Sequence, residues 1–312
     1  IVYSDATQGW IPESDVDVTD APLVLTQKAL FGFGIAGASR LSMTNLVNSS
    51  GVVATDTSGV GTARSYLAGA GYGIDKAIFG YGHTGSVSSL SNLVSNSGVV
   101  ASDVTGVGTA RSGLSAAVYG GDKAIFGYGD TGSVSSLSNL VNSSGVVATD
   151  TTGVGTARGS LAAAGYGGDK AIFGYGTTGS NLSMTNLVTN AGVVGTDVSG
   201  VGSARRLLAA AGYGGDKAIF GYGYAGGRTA VTNLVSNSGV VGSDVTGVGT
   251  ARNGLTATSY GGDKAIFGYG ENAPGNLSLT NLVTNAGVVG ADVSGVGTAR
   301  TEIAAAGYSS SA

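Results

Sequence analysis

Cysteine is absent from this 312-residue chain, proline occurs three times, and histidine occurs once, at His83. Without cysteine no disulfide contributes to stability, and copper and zinc lose their usual soft ligands. A single histidine excludes a histidine-based metal cluster and any catalytic triad built on histidine. Charge is scarce as well: 11% of residues are Asp, Glu, Lys or Arg, against roughly 25% in ordinary soluble domains. No stretch approaches the roughly 20 consecutive apolar residues that a membrane helix requires, so no membrane insertion is expected. Ile1 stands where a start methionine would be and no cleavable signal is visible, so the chain reads as part of something longer.

What is abundant is glycine, 58 residues, set in a chain that is 42% hydrophobic and so has ample material for a core. The phrase Lys-Ala-Ile-Phe-Gly-Tyr-Gly begins at Lys28 (there as Lys-Ala-Leu-Phe-Gly-Phe-Gly), Lys76, Lys123, Lys170, Lys217 and Lys264. The intervals are 48, 47, 47, 47 and 47 residues. Internal repetition marks units that cannot bury their hydrophobic faces alone. A period in the forties built from short β runs predicts a six-bladed β-propeller of four-stranded blades over 28–308. Residues 1–27 form a non-repeating lead, and 309–312 a short tail. A β-solenoid is the alternative, although 47 residues is long for one coil.

The charges repeat too. Arg64, Arg111, Arg158, Arg205, Arg252 and Arg300 recur in Ala-Arg pairs, and only Arg40, Arg206 and Arg228 lie outside the pattern of basic residues. Asp56, Asp103, Asp150, Asp197, Asp244 and Asp292 form one acidic ring; Asp75, Asp122, Asp169, Asp216 and Asp263 form a second, with Gln27 in the matching first place. The lead carries five acids and no base, which leaves the repeats near neutrality and removes the electrostatic basis for binding nucleic acid.

One unit, from Arg111, reads as four β runs. Two are split at Gly120-Gly121, the composition of a tight hairpin. A third lies at 137–141 and a fourth at 145–150. The first run is rich in Ala and Gly, suiting a strand crowded near an axis, while the second carries the Ile and Phe that would fill the wedge between neighbours. The chain enters at a second strand and leaves after a first strand, so the run from Glu302 to Tyr308 is expected to pair beside Lys28–Phe33 and close the ring. The other phasing would use 21–25 as that inner strand.

The order of an arginine-led inner strand, a small-residue turn, a second strand ending in glycines and two short strands resembles the kelch repeat. The resemblance covers about 280 residues and implies the propeller fold. The chain departs from the kelch pattern in replacing the double glycine with Gly-Tyr-Gly and in lacking the outer-strand tryptophan.

Several motifs imitate chemical sites. Gly-x-Gly-x-x-Gly occurs at 32–37, 80–85, 127–132, 174–179 and 221–226. A Ser-rich loop and another β run follow each, not the helix that a dinucleotide site needs. The Asp ring offers one carboxylate per repeat rather than the cluster of a calcium loop. Each Asp is expected to pair with the arginine eight residues on. Carboxylates repeated six times read as scaffold, so no catalytic residue, metal or cofactor is expected, and the chain is not expected to be an enzyme.

The segment after Gly-Tyr-Gly is where copies differ, placing Arg40, His83, Asp130, Tyr224, Arg228 and Glu271 as candidate binding-loop residues. Asn48, Asn142, Asn181 and Asn276 lie in Asn-x-Ser sequons. The lead, Ile-Val-Tyr-Ser-Asp-Ala-Thr-Gln-Gly-Trp-Ile-Pro followed by an acidic stretch, resembles junction segments of fibre, neck and tail proteins in the appendages of tailed bacteriophages. That resemblance implies an extracellular or virion structural module whose partners are copies of itself or other structural subunits. A lectin-like propeller, taking surface glycans on the variable loops, is the competing expectation.

Overall fold

The computed structural model describes residues 2–5, 9–11 and 26–310. Among these residues there is no helix, and six three-stranded antiparallel sheets recur. In one, inner strand Ser115–Tyr119 pairs with middle strand Lys123–Gly127, which pairs with Ser138–Val141. The equivalent strands are Ala68–Tyr72, Lys76–Gly80 and Ser91–Val94 in the sheet before. They are Ala162–Tyr166, Lys170–Gly174 and Thr185–Val188 in the sheet after. Ala209–Tyr213, Lys217–Gly221 and Thr232–Val235 follow, then Thr256–Tyr260, Lys264–Gly268 and Thr280–Val283. The sixth sheet joins the two ends of the repeat region: Ala304–Ser310 pairs with Thr26–Gly32, which pairs with Thr44–Val47. This is the pairing expected of the final Ala-rich run, extended at one end to Ser310↔Thr26 and ending at Ala304↔Gly32 at the other. It occupies the place that 21–25 would have needed; 21–25 themselves lie outside the described residues. In the lead, Val2–Asp5 and Gly9–Ile11 form a separate antiparallel pair.

The expected fourth strand is not continuous. The segment at 145–151 pairs with its neighbour only at isolated bridges, Val141↔Val147 and Ser138↔Thr151, rather than along a continuous ladder. Three residues separate the bridge positions on one side and four on the other, so the outer segment carries one surplus residue, as in a bulge. Asn139 fills the gap: its Nδ2 donates to Ala148 O at 3.0 Å, where a ladder amide would otherwise be.

In five of the six sheets the inner and middle strands meet in a three-residue turn, Gly120-Gly121-Asp122 in the unit above, with φ of 60° and 78° at the two glycines. Glycine enters that left-handed region without a Cβ penalty. In the first such hairpin the second place is Ile74, at φ 66° and 66% exposed.

The core lies between sheets rather than within them. Phe126 is fully buried and stands edge-on to Tyr81 of the preceding unit, ring centroids 5.1 Å apart. The same contact recurs as Phe33–Phe79, Tyr128–Phe173, Tyr175–Phe220, Tyr222–Phe267 and Phe31–Tyr269, the last joining the sheet of Lys264–Gly268 to that of Thr26–Gly32. Such edge-on pairs contribute about 1 kcal/mol each beyond their buried area. The Gly of Phe-Gly-Tyr-Gly makes room: a Cβ on Gly80 would lie 2.7 Å from the Phe126 ring. The Tyr itself sits at φ 62–64° in every copy that has it. This strained conformation is held by burial of the ring and by the hydroxyl, which in Tyr128 donates to Val154 O at 3.2 Å.

Two cycles of backbone hydrogen bonds link all six units. Gly73, Gly120, Gly167, Gly214, Gly261 and Ser309 donate to the carbonyls of Asp122, Asp169, Asp216, Asp263, Gln27 and Asp75 at the hairpin end. At the other end Gly113 donates to Tyr66, Ser160 to Gly113, Leu207 to Ser160, Gly254 to Leu207, Glu302 to Gly254 and Tyr66 back to Glu302, at 2.7–3.1 Å. All six members of the second cycle have φ of 53–63°.

Candidate functional site at the loop end

The segment after Gly-Tyr-Gly leaves the top of the middle strand and meets the residue that follows each arginine. Ser65 bridges His83, Ser112 bridges Asp130, Arg206 bridges Tyr224 and Asn253 bridges Glu271. The candidate residues therefore share one end of the molecule, opposite the hairpin turns. Most of them join neighbouring units. Arg40 Nη2 lies 2.9 Å from His83 Nδ1, and Arg228 Nη2 lies 3.2 Å from Glu271 Oε1. Asn181 and Asn276, at the same repeat position as Arg40 and Arg228, donate to Tyr224 O and Ile35 O at 2.9 and 3.0 Å. Asp130 turns inward on its own loop, accepting Gly132 N–H at 2.7 Å. Tyr224 carries the Arg206 guanidinium 5.1 Å above its ring.

Beneath this layer lie the repeat arginines, each fully buried. Arg158 shows the full arrangement. Nε donates to Tyr175 O at 2.8 Å, Nη1 to Thr156 O at 3.1 Å and Nη2 to Asn186 Oδ1 at 2.7 Å. Its guanidinium also stacks 4.3 Å from the Tyr128 ring of the preceding unit. Burial lowers the guanidinium pKa, with the neighbouring Tyr128 and Asp197 opposing the shift. The Asp partner differs from the one expected. Arg64 pairs not with Asp56, eight residues before it, but with Asp103 of the next unit at 3.3 Å. Arg111 and Arg158 reach Asp150 and Asp197 at 3.7 and 4.0 Å, and Arg300 reaches Asp56 at 3.6 Å. Asp244 and Asp292 feel Arg205 and Arg252 in the same way.

The reason is a clasp. Asp197 accepts from the Thr156 N–H at 3.0 Å and the Thr156 hydroxyl at 2.6 Å across the unit boundary, and from Asn186 Nδ2 at 2.9 Å. Partial burial alone would raise its pKa, but these donors and Arg158 hold its carboxyl below the ordinary value. The motif recurs at every boundary, including Thr298 to Asp56.

Between the two hydrogen-bond cycles the inner strands line a narrow interior. A cavity of about 100 Å³ lies at the loop end, ringed by Leu67, Leu114, Leu161, Leu208, Leu255 and Ile303. One of about 300 Å³ lies at the hairpin end, lined by inner-strand Ala and Gly and by tyrosines such as Tyr72 and Tyr166. The latter opens among the phrase lysines. Lys76, Lys123, Lys170, Lys217 and Lys264 pair with the preceding Asp at 2.5–3.2 Å, while Lys28, behind Gln27, has no ion pair among the described residues. With the lysine side chains about two-fifths exposed, such pairs contribute little to stability.

Two groups of residues escape the sequence reading. Asn45, Asn92, Asn139, Asn186, Asn233 and Asn281 are fully buried hubs between arginine and aspartate. Their signal was a polar residue retained in all six Asn-Leu-Val runs. The other group, Tyr66, Asn253 and Glu302, occurs once and carries no periodic signal. Among the described residues no three His, Asp or Glu side chains gather to hold a metal.

No family model matches this chain, and no curated protein matches it.

Proposed function

We propose that the six sheets are the blades of a closed six-bladed β-propeller, kelch-like in strand order, that serves as a non-enzymatic structural or adhesive module of an extracellular assembly such as a virion fibre or appendage. The observation that carries this reading is polarity. The strand ends Thr26 and Ser310 lie together at the hairpin end, while the loops that vary between copies crown the opposite end. Such an arrangement suits a part attached at one end and presenting the other. Charge supports it: the repeat arginines and their aspartates are consumed at unit boundaries, which leaves a weakly charged exterior suited to close packing. The lead provides the connection to a preceding domain or to the next copy. A glycan-binding role is favoured by one feature, the presence at this end of the Arg206–Tyr224 stack and, in another unit, of the 37%-exposed Tyr66, because an exposed aromatic ring offers a sugar an apolar face. Negative-stain microscopy of the purified chain, run beside a glycan array, tests the proposal. Rods or fibres that are lost on deleting residues 1–25 are expected; dispersed monomers with saturable sugar binding would replace assembly with the lectin reading.

A further inference from the structure

The second hydrogen-bond cycle is filled by Gly113, Ser160, Leu207 and Gly254 over most of its course, and by a phenol and an acid, Tyr66 and Glu302, where the last unit meets the first. The Tyr66 hydroxyl and the Glu302 carboxyl act on each other electrostatically. Glu302 Oε1 lies 3.1 Å from where a side chain on Gly254 would begin, which sets the carboxyl directly over the backbone next to Asn253. Asn253 is 3% exposed and donates Nδ2 to Glu271 Oε1 at 3.3 Å, while its Oδ1 has no partner. Glu271 is held in turn by Arg228. Two half-buried carboxyl groups thus share one corner with a buried acceptor that has no partner. As two carboxylates they would repel, and the amide oxygen would lack a donor.

We propose that Glu302 is kept as a neutral carboxylic acid whose proton is donated to Asn253 Oδ1, making the junction of last and first units a proton-gated latch. The chain then runs from Glu302 to Asn253, and from Asn253 and Arg228 to Glu271, and Asn253 Oδ1 gains the donor it lacks. The remaining charged group facing it is Arg40, which acts on Tyr66 and is partnered by His83. Burial, with the Glu271 charge second and Tyr66 opposing, pushes the carboxyl up to about 8 from an ordinary 4.5. The closed latch therefore holds its proton more tightly than the open one. Its opening constant should rise about tenfold per pH unit between the two values and level off above the higher one.

Hydrogen exchange of the Tyr66 and Glu302 amides, divided by that of Ser160 and Leu207 in the same cycle, reads this directly between pH 6 and 9.5. The ratio should climb about tenfold per unit to near pH 8 and then flatten. It should be flat throughout in Glu302→Gln, and should level off at lower pH in Glu271→Gln, where the repelling charge is gone. The carboxyl carbon shift of Glu302 in the unmodified protein gives a second reading, that of a protonated acid at pH 6.5. A flat ratio in the unmodified protein, a slope kept in Glu302→Gln, or an ionised carboxyl at pH 6.5 would overturn the proposal. So would millimolar calcium erasing the slope, which would assign the corner to a cation instead.

Discussion

Replacing Asn186 by alanine tests the buried hub most sharply. The side chain accepts from Arg158 Nη2 at 2.7 Å and donates to Gly195 O at 3.0 Å and Asp197 Oδ1 at 2.9 Å. Truncation leaves a guanidinium nitrogen and a carbonyl buried without partners and loosens the clasp on Thr156. A buried group left unsatisfied costs about 1–3 kcal/mol, more when charged, so a loss of roughly 3–4 kcal/mol is expected. At about 2–4 °C per kcal/mol for a chain of this size, the unfolding midpoint should fall by roughly 6–15 °C. Urea titration should show the same loss with an unchanged slope, since the surface exposed on unfolding is the same. The repeats supply the control: Asn139→Ala and Asn233→Ala remove the same contacts and should cost the same. Asn186→Asp keeps an acceptor for Arg158 but sets a carboxylate beside Asp197, so its cost should shrink as pH falls toward 4. A midpoint shift below 2 °C, or costs that scatter widely among the three sites, would refute the idea that these networks hold the units together.

Ile74→Gly should raise the midpoint by a few degrees in calorimetry, because a left-handed β-branched residue costs about 1–2 kcal/mol and the side chain is exposed. Gly174→Ala should lower stability by roughly 1–3 kcal/mol in the same assay, since its Cβ would lie 2.7 Å from the Phe220 ring. Acid should loosen the clasps. The ring aspartates have depressed carboxyls, so the stability they add is present above the ordinary value of 3.8 and is lost as pH falls below it. Thermal midpoints measured from pH 5 down to 2 should therefore drop, and less so in Asp197→Asn.

Strand order and the pairing of the two ends of the repeat region were legible because the Lys-Ala-Ile-Phe phrase states both period and phase. The wedge role of Phe126 and its equivalents was legible from size alone. The Arg–Asp pairing was misread because proximity in sequence was taken for proximity in space; a clasp to the next unit serves the same residues and adds Thr156 as a third member. The interrupted outer segment was hidden because Val-Val-Ala-Thr has the composition of a strand, while the surplus residue shows only against its partner. The variable loops read as binding surface, yet Arg40, Arg228 and Asn276 spend their polar groups on neighbouring units. Glu302 could not be found at all, since its chemistry depends on residues 49 and 236 positions away, Asn253 and Tyr66.

The pairing of Ala304–Ser310 with Thr26–Gly32 bears on the order in which the molecule is made. Five hairpins are closed by a three-residue turn, as between Tyr119 and Lys123, but the sixth must be closed across almost the whole chain. Each doubling of loop length costs about 0.6 kcal/mol in closure entropy, so this hairpin starts roughly 4 kcal/mol behind the others. It carries two extra pairs, Ser309↔Gln27 and Ser310↔Thr26, that partly offset the deficit. Its formation should accordingly come last in folding, with the ends of the repeat region joined only once Ala304–Ser310 docks. A circular permutant with its opening moved to the Gly167-Gly168 turn should fold to the same endpoint while shifting the late step to that turn.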